Sequence, residues 1–197
     1  MTEKLLMKDT EIERALTRIA HEILERNQGI DDLILIGVRT RGVPLAKRLQ
    51  QRIYAFEQRT VPIGSLDIRP YRDDYSVQQS MPQSYTDIAV DISGKKVVLV
   101  DDVLFTGRSI RAAMDALMDI GRPRMIQVAV LIDRGHRELP VRADYIGKNI
   151  PTSINEHVVV QVSEVDTNDS VTIQLRLNMI DSYERDEDDI KAVRPML

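Results

Sequence analysis

The 197-residue chain predicts an α/β domain: a mainly parallel central sheet flanked by helices, with a hairpin near the C-terminus. Three observations support this. "LILIGV", "KVVLVD" and "MIQVAVLID" are near-continuous apolar runs, the pattern of strands buried on both faces. The first two run into a short polar loop and then an amphipathic stretch, the alternation that builds βαβ units. Further on, "HVVVQVSEV" and "VTIQLRL" flank "DTNDS", which predicts an antiparallel hairpin.

Taken in order, the first element is a helix over "DTEIERALTRIAHEILERNQG", with Asp9 or Thr10 as N-cap and Gly29 as its stop. Ile12, Leu16, Ile19, Ala20 and Ile23 recur on one face. The strand "LILIGV" leads through "RTRG" into a helix from about residue 44 to 55. A second apolar run, "TVPIGSLDI", precedes a polar stretch without periodicity over residues 69–87. The strand "KVVLVD" then opens into a helix over "RSIRAAMDALMDI", with Ile110, Ala113, Met114 and Leu117 on one face and Gly121 and Pro123 ending it. One domain is expected over residues 1–180, with 181–197 as an acidic, mobile tail.

At 43% hydrophobic and 29% charged residues the composition is that of an ordinary globular domain. The N-terminus lacks the apolar core of a signal peptide, and no apolar run approaches a membrane span, so a cytoplasmic protein with no membrane partner is expected. With no cysteine, disulfides and thiol nucleophiles are excluded. The net charge of −4 is uneven: "DSYERDEDD" contributes −5 and leaves +1 for the rest, so a local basic patch for nucleic acid is compatible with the total.

The chemistry concentrates in "VVLVDDVLFTGRSI". Asp101 and Asp102 lie where a parallel strand ends, the place at which open α/β sheets bind ligands. The following loop, Val103, Leu104, Phe105, Thr106, Gly107, Arg108 and Ser109, opens a helix whose N-terminal N–H groups form an anion site. Gly107 permits close backbone approach, and Thr106 and Ser109 supply hydroxyl donors. A phosphate on the loop and a vicinal diol on the carboxylates together describe a ribose 5-phosphate. The plainer reading is a solvated turn in which Thr106 or Ser109 caps the helix. No Walker A sequence competes for the phosphate, and His21, His136 and His157 lack metal-ligand spacing.

The segment resembles the phosphoribosyl-pyrophosphate (PRPP) motif of the type I phosphoribosyltransferases. That resemblance implies their fold, with a small hood, and a transfer in which a base nitrogen displaces diphosphate at the anomeric carbon, with Mg²⁺ bound together with PRPP and no protein-only metal site. It gives Asp101, Asp102 and Arg41 catalytic roles, and places Thr40, Arg41 and Gly42 of "GVRTRGV" in a diphosphate loop. Residues 69–87 match a flexible lid, with Arg69 and Arg72 reaching the diphosphate on closure.

"ALTRIAHEILERN", "TRGVPLAKRL", "VDDVLFTGRSIRAAMDAL", "GRPRMIQVAVLIDRGHRELPVRADYIGKNIPTS" and "VDTND" narrow the resemblance. Together they are similar to the bacterial pyrimidine-operon regulators that are also uracil phosphoribosyltransferases. The implied reaction is uracil plus PRPP giving UMP and diphosphate, and the implied regulation is UMP-promoted binding to pyrimidine-operon leader mRNA, causing transcription attenuation. A hood or arm over about residues 134–155 and a homodimer or higher homo-oligomer come with it. On the first helix Arg14, Thr17, Arg18 and His21 fall between about 140° and 240° from Ile12, opposite the apolar stripe. Thr17, Arg18, His21 and Arg26, with His136, Arg137, Arg142 and Lys148, match positions linked to RNA in that group. Ser109 stands where threonine is common and keeps the hydroxyl, and the acidic tail extends past the group's usual end. Two rival readings are an enzyme without RNA regulation and a nucleotide-sensing regulator with little turnover.

Overall fold

The computed structural model describes residues 3–73 and 85–175. The expected tail, and most of the expected lid, lie outside these residues. Five strands form a parallel sheet in the order β3-β2-β4-β5-β6: β2 (Leu33–Val38), β3 (Ile63–Leu66), β4 (Lys96–Leu104), β5 (Met125–Asp133) and β6 (Tyr145–Asn149). Helices α1 (Asp9–Asn27) and α2 (Gly42–Glu57) cover one face, and α3 (Arg108–Ile120) covers the other. Coverage on both sides explains the unbroken apolar runs. Leu33 and Leu35 pack into the core beneath α1 and α2, while Ile34 and Ile36 point the opposite way and join Ala113 and Leu117 of α3.

A separate three-stranded antiparallel sheet has the order β1-β8-β7: β1 (Glu3–Lys8), β7 (Glu156–Gln161) and β8 (Ser170–Leu175). The hairpin expected around "DTNDS" is β7–β8. Val158, Val160 and Val171 join the core beneath α1 and α2, so the small sheet packs into the domain.

Several boundaries differ from expectation. The first helix is capped by neither Asp9 nor Thr10. Lys8 is its N-cap residue, and the Lys8 N–H donates to the Glu11 carboxylate at 3.0 Å. At the other end Gln28 takes a left-handed conformation, and the Gly29 N–H closes onto the Leu24 carbonyl at 2.9 Å. Helix α2 starts at Gly42 rather than near Pro44, since a proline in the first turn sacrifices only an N–H that no helical carbonyl could reach. Strands β1 and β6 were not expected. "EKLLMK" is too short and polar to announce itself, and "YIGKN" contains Gly147, whose added Cβ would lie 2.4 Å from the Leu131 carbonyl oxygen on β5.

Candidate functional site

Strand β4 carries its apolar run to Val100 and then presents Asp101, aligned with Val130 of β5. Asp101 is 8% exposed. Its carboxylate accepts the Asp102 N–H at 2.9 Å, and the Asp102 carboxylate accepts the Val103 N–H at 2.7 Å. Burial pushes both carboxyls above the ordinary range, and in Asp101 the neighbouring Asp102 charge adds to it. Such a pair is set to receive hydroxyl donors or a cation.

The turn after β4 enters α3 through a glycine. Gly107 adopts φ +95° immediately before α3, and that helix has no side-chain cap bond at its N-terminus. The N-cap residue is Gly107, and the Thr106 hydroxyl accepts the Arg108 N–H at 3.4 Å, a long bond that partly meets the plainer reading of this turn. The segment after β5 braces the turn from behind. Glu138 and Leu139 N–H groups donate to the Thr106 carbonyl at 3.0 and 3.1 Å, and the Arg134 guanidinium lies 3.9 Å from the centre of the Phe105 ring.

The loop after β2 approaches the same place. Gly42 is so close to β4 that an added Cβ would sit 2.2 Å from the Val100 carbonyl oxygen. Arg41 is thereby set beside Asp102 in a cleft of about 820 Å³. The cleft is lined by Arg41, Arg72, residues 102–110, Arg134 and Glu138, and it is closed on the far side by residues 154 and 156–160. Arg69 is not among the lining residues. Its guanidinium donates to the buried Asp67 carboxylate, with the shortest contact at 2.5 Å.

The wall formed by Ile154 and β7, including His157, was not foreseen from sequence. It belongs to the second sheet, and only folding brings that sheet over the turn. Ile154 is 62% exposed, an unusual fraction for a large aliphatic side chain, and it stands at this cleft.

The basic positions divide into two groups. Helix α1 packs along β6, so Arg18 donates to the carbonyls of Ile146 and Gly147 at 2.9 and 2.6 Å. Arg26 pairs with Asp144 at 2.8 Å, and Lys148 donates to the Leu6 carbonyl at 2.9 Å. Thr17 bonds back to the Glu13 carbonyl, and His21 stacks on Phe56 at 3.9 Å. Thr17, Arg18 and His21 line one shallow depression with Arg14 and three glutamates. Arg142 is exposed on the segment before β6.

The second group lies at the PRPP-like turn. Arg137 is engaged internally: it donates to the carbonyls of Leu104, Phe105, Gly135 and Val141 and pairs with Asp133. That is the geometry of a brace for the turn. His136 is exposed, and its ring contacts the Thr152 carbonyl at 2.6 Å.

The match to known proteins is extensive. A model of the phosphoribosyl transferase domain fits residues 6–166. Bifunctional protein PyrR of Bacillus subtilis is 58% identical over 177 residues, covering 88% of this chain and 98% of that protein. The chain belongs to the PyrR family of phosphoribosyltransferases. Two further members of the PyrR family agree. The Halalkalibacterium halodurans protein is 56% identical over 174 residues, covering 87% of this chain and 97% of its own length. The Lactococcus lactis pyrimidine operon regulatory protein is 54% identical over 174 residues, covering 88% and 98%. Among solved structures, a hypoxanthine phosphoribosyltransferase of Trypanosoma cruzi superposes with a TM-score of 0.66 at 20% identity, covering 87% of this chain and 96% of that one. At that identity the likeness establishes the fold, the type I phosphoribosyltransferase fold. Among the described residues no helix is long and apolar enough to cross a membrane.

Proposed function

We infer that this chain is a uracil phosphoribosyltransferase, converting uracil and PRPP to UMP and diphosphate, and a pyrimidine-operon regulator that binds leader mRNA when UMP is bound. The observation that supports the transfer reading best is one cleft lined by three unlike chemistries: the N-terminus of α3 behind Gly107, the Asp102 carboxylate with buried Asp101 next to it in the chain, and Arg41. On this reading the 5-phosphate sits on the turn of Thr106, Gly107, Arg108 and Ser109, where backbone N–H groups and hydroxyls donate to it. Asp101 and Asp102 each accept one backbone N–H and keep further lone pairs that accept from the ribose hydroxyls. The Arg41 guanidinium, with Thr40 and Gly42 shaping its loop, receives the leaving diphosphate, and Arg72 stands at the mouth.

As the bond to diphosphate breaks, uracil nitrogen bonds to the anomeric carbon and gives up its proton, which leaves with the diphosphate, and positive charge grows on the ribose in passing. The carboxylates beneath the ring oppose that charge, and the walls of the cleft exclude the water that would hydrolyse the activated sugar. Their hard oxygen donors suit Mg²⁺ shared with PRPP, through Asp101 and Asp102. When bound, that ion would neutralise charge on the departing diphosphate. The base lies toward Ile154 and β7. Turnover of uracil against other bases, with UMP quantified, tests the transfer; equal rates with hypoxanthine would overturn the uracil assignment.

The regulatory half places RNA on α1 and the adjoining edge of the sheet, through Thr17, Arg18, His21, Arg26, Arg142 and Lys148. Arg18 and Lys148 are exposed on this face; both donate to backbone carbonyls and Arg18 also pairs with Glu22, contacts that RNA phosphates would compete with. A homodimer or larger homo-oligomer would enlarge this face. Reactants of this kind and nascent mRNA belong to the cytoplasm, where this reading places the chain. The family relationship favours this bifunctional reading over an enzyme alone.

A further inference from the structure

Arg41 is gripped from the side. Its Nε donates to Oδ2 of Asp166 at 3.0 Å and its Nη2 to Oδ1 at 2.8 Å, the fork-on-fork geometry that fixes both the plane and the rotamer of a guanidinium. Asp166 lies 125 residues further along, in the connection between β7 and β8. Its own carboxylate is held by the Val162 N–H at 2.9 Å, and its N–H donates to the Val162 carbonyl at 2.7 Å.

The same connection is fastened to α2 a second time. Arg48, two turns along the helix from Arg41, bonds to Glu164, Asp169 and Ser163, with its shortest contacts at 2.6 Å. The two arginines differ in where they lead. Arg48 is buried and takes no part in the cleft, whereas Arg41 lines it beside Asp102. One ion-pair cluster therefore anchors the connection, and the other reaches the reacting end of the molecule.

We propose that Asp166 is a positioning residue for phosphoribosyl transfer: it holds the Arg41 guanidinium at the cleft wall, so that its charge is aimed before the diphosphate of PRPP arrives. The inference rests on the transfer reading above. An arginine without such a partner must be ordered at the moment of binding, and that cost falls on PRPP affinity. Asn at position 166 keeps the shape of the side chain but has one oxygen to divide between Val162 and Arg41, and no charge.

The test measures PRPP affinity by calorimetry, a readout that survives loss of turnover, together with kcat, KM and thermal midpoint for the full chain. The variants are D166N, R41A, the double variant and E164Q. D166N is expected to weaken PRPP binding and raise its KM by about tenfold, with the KM for uracil unmoved and kcat altered less. In the R41A background the same substitution should change PRPP affinity by under about twofold, because the residue acts through Arg41. E164Q removes one anchor from the same connection, so it should lower the thermal midpoint while leaving the KM for PRPP in place. A D166N variant that binds PRPP normally overturns the proposal, as does an equal loss in the R41A background or a matching KM rise in E164Q. A wild-type chain that binds PRPP but makes no UMP from uracil overturns the transfer reading itself, and the proposal with it.

Discussion

Replacing Gly42 with alanine adds one methyl group at the point where the two loops of the cleft touch. That methyl would lie 2.2 Å from the Val100 carbonyl oxygen, 3.2 Å from its carbon and 3.3 Å from the Asp101 Cα. All three are backbone atoms, so no side chain can swing aside. Ordinary contact requires the loop carrying Thr40 and Arg41 to separate from β4 by roughly 1 Å, a displacement that can cost a reaction about a hundredfold. The accompanying strain is about 1–3 kcal/mol of folding stability, which a domain of this size survives. The expected result is a folded protein whose UMP synthesis falls about a hundredfold, read by quantifying UMP from uracil and PRPP alongside circular dichroism. RNA binding without nucleotide should be unchanged, since Thr17, Arg18 and His21 of α1 line a separate depression and are not among the residues lining the cleft. A G42A variant with wild-type turnover would refute the argument that the two loops must abut for transfer.

Asp101→Asn should depress transfer sharply yet make the ligand-free protein more stable at neutral pH. Burial raises the Asp101 carboxyl above its ordinary range, so as pH climbs through that window the unfolded chain sheds a proton that the folded chain keeps, and stability falls. The variant's advantage should accordingly vanish below about pH 4, where both states hold the proton; thermal melts across pH read it, and a pH-independent difference would contradict the cause given. Arg137→Ala should lower stability by about 2 kcal/mol and reduce transfer, because it removes a charged brace from the turn and leaves Asp133 without its partner. Loss of RNA binding alone would assign that arginine to RNA instead. Arg18→Ala combined with His21→Ala should weaken leader-RNA binding while UMP synthesis continues, and equal loss of both would refute the separation of the two surfaces.

The parts of the fold legible in sequence were those with a local signature. The three doubly buried strands show themselves as unbroken apolar runs because no face of the sheet meets water. The first and third helices show theirs as single stripes, from Ile12 to Ile23 and from Ile110 to Leu117. Strands β1 and β6 escaped because their pairing is dictated by neighbours: β1 is drawn in by β8, and β6 by the approach that Gly147 allows. Within the site, "DDVLFTGRS" announced both carboxylates and the glycine turn into α3, since a short segment supplies all of them. Asp166 and the wall of Ile154 and β7 could not be placed in the same way. Their relation to the cleft exists only once two sheets meet. Arg137 shows the complementary limit: a basic stretch reads as surface charge, and only the structure reveals the carbonyls and the Asp133 carboxylate that this side chain also holds.

The most direct test of the whole account titrates a pyrimidine-operon leader RNA with the protein, with and without UMP, at one fixed salt concentration, because phosphate contacts make affinity depend on ionic strength. A chain that joins the two functions should bind that RNA far better than an unrelated RNA of equal length, and UMP should tighten the complex by about tenfold or more, a coupling of about 1.4 kcal/mol. Binding that ignores both RNA sequence and UMP would contradict it and leave a phosphoribosyltransferase alone.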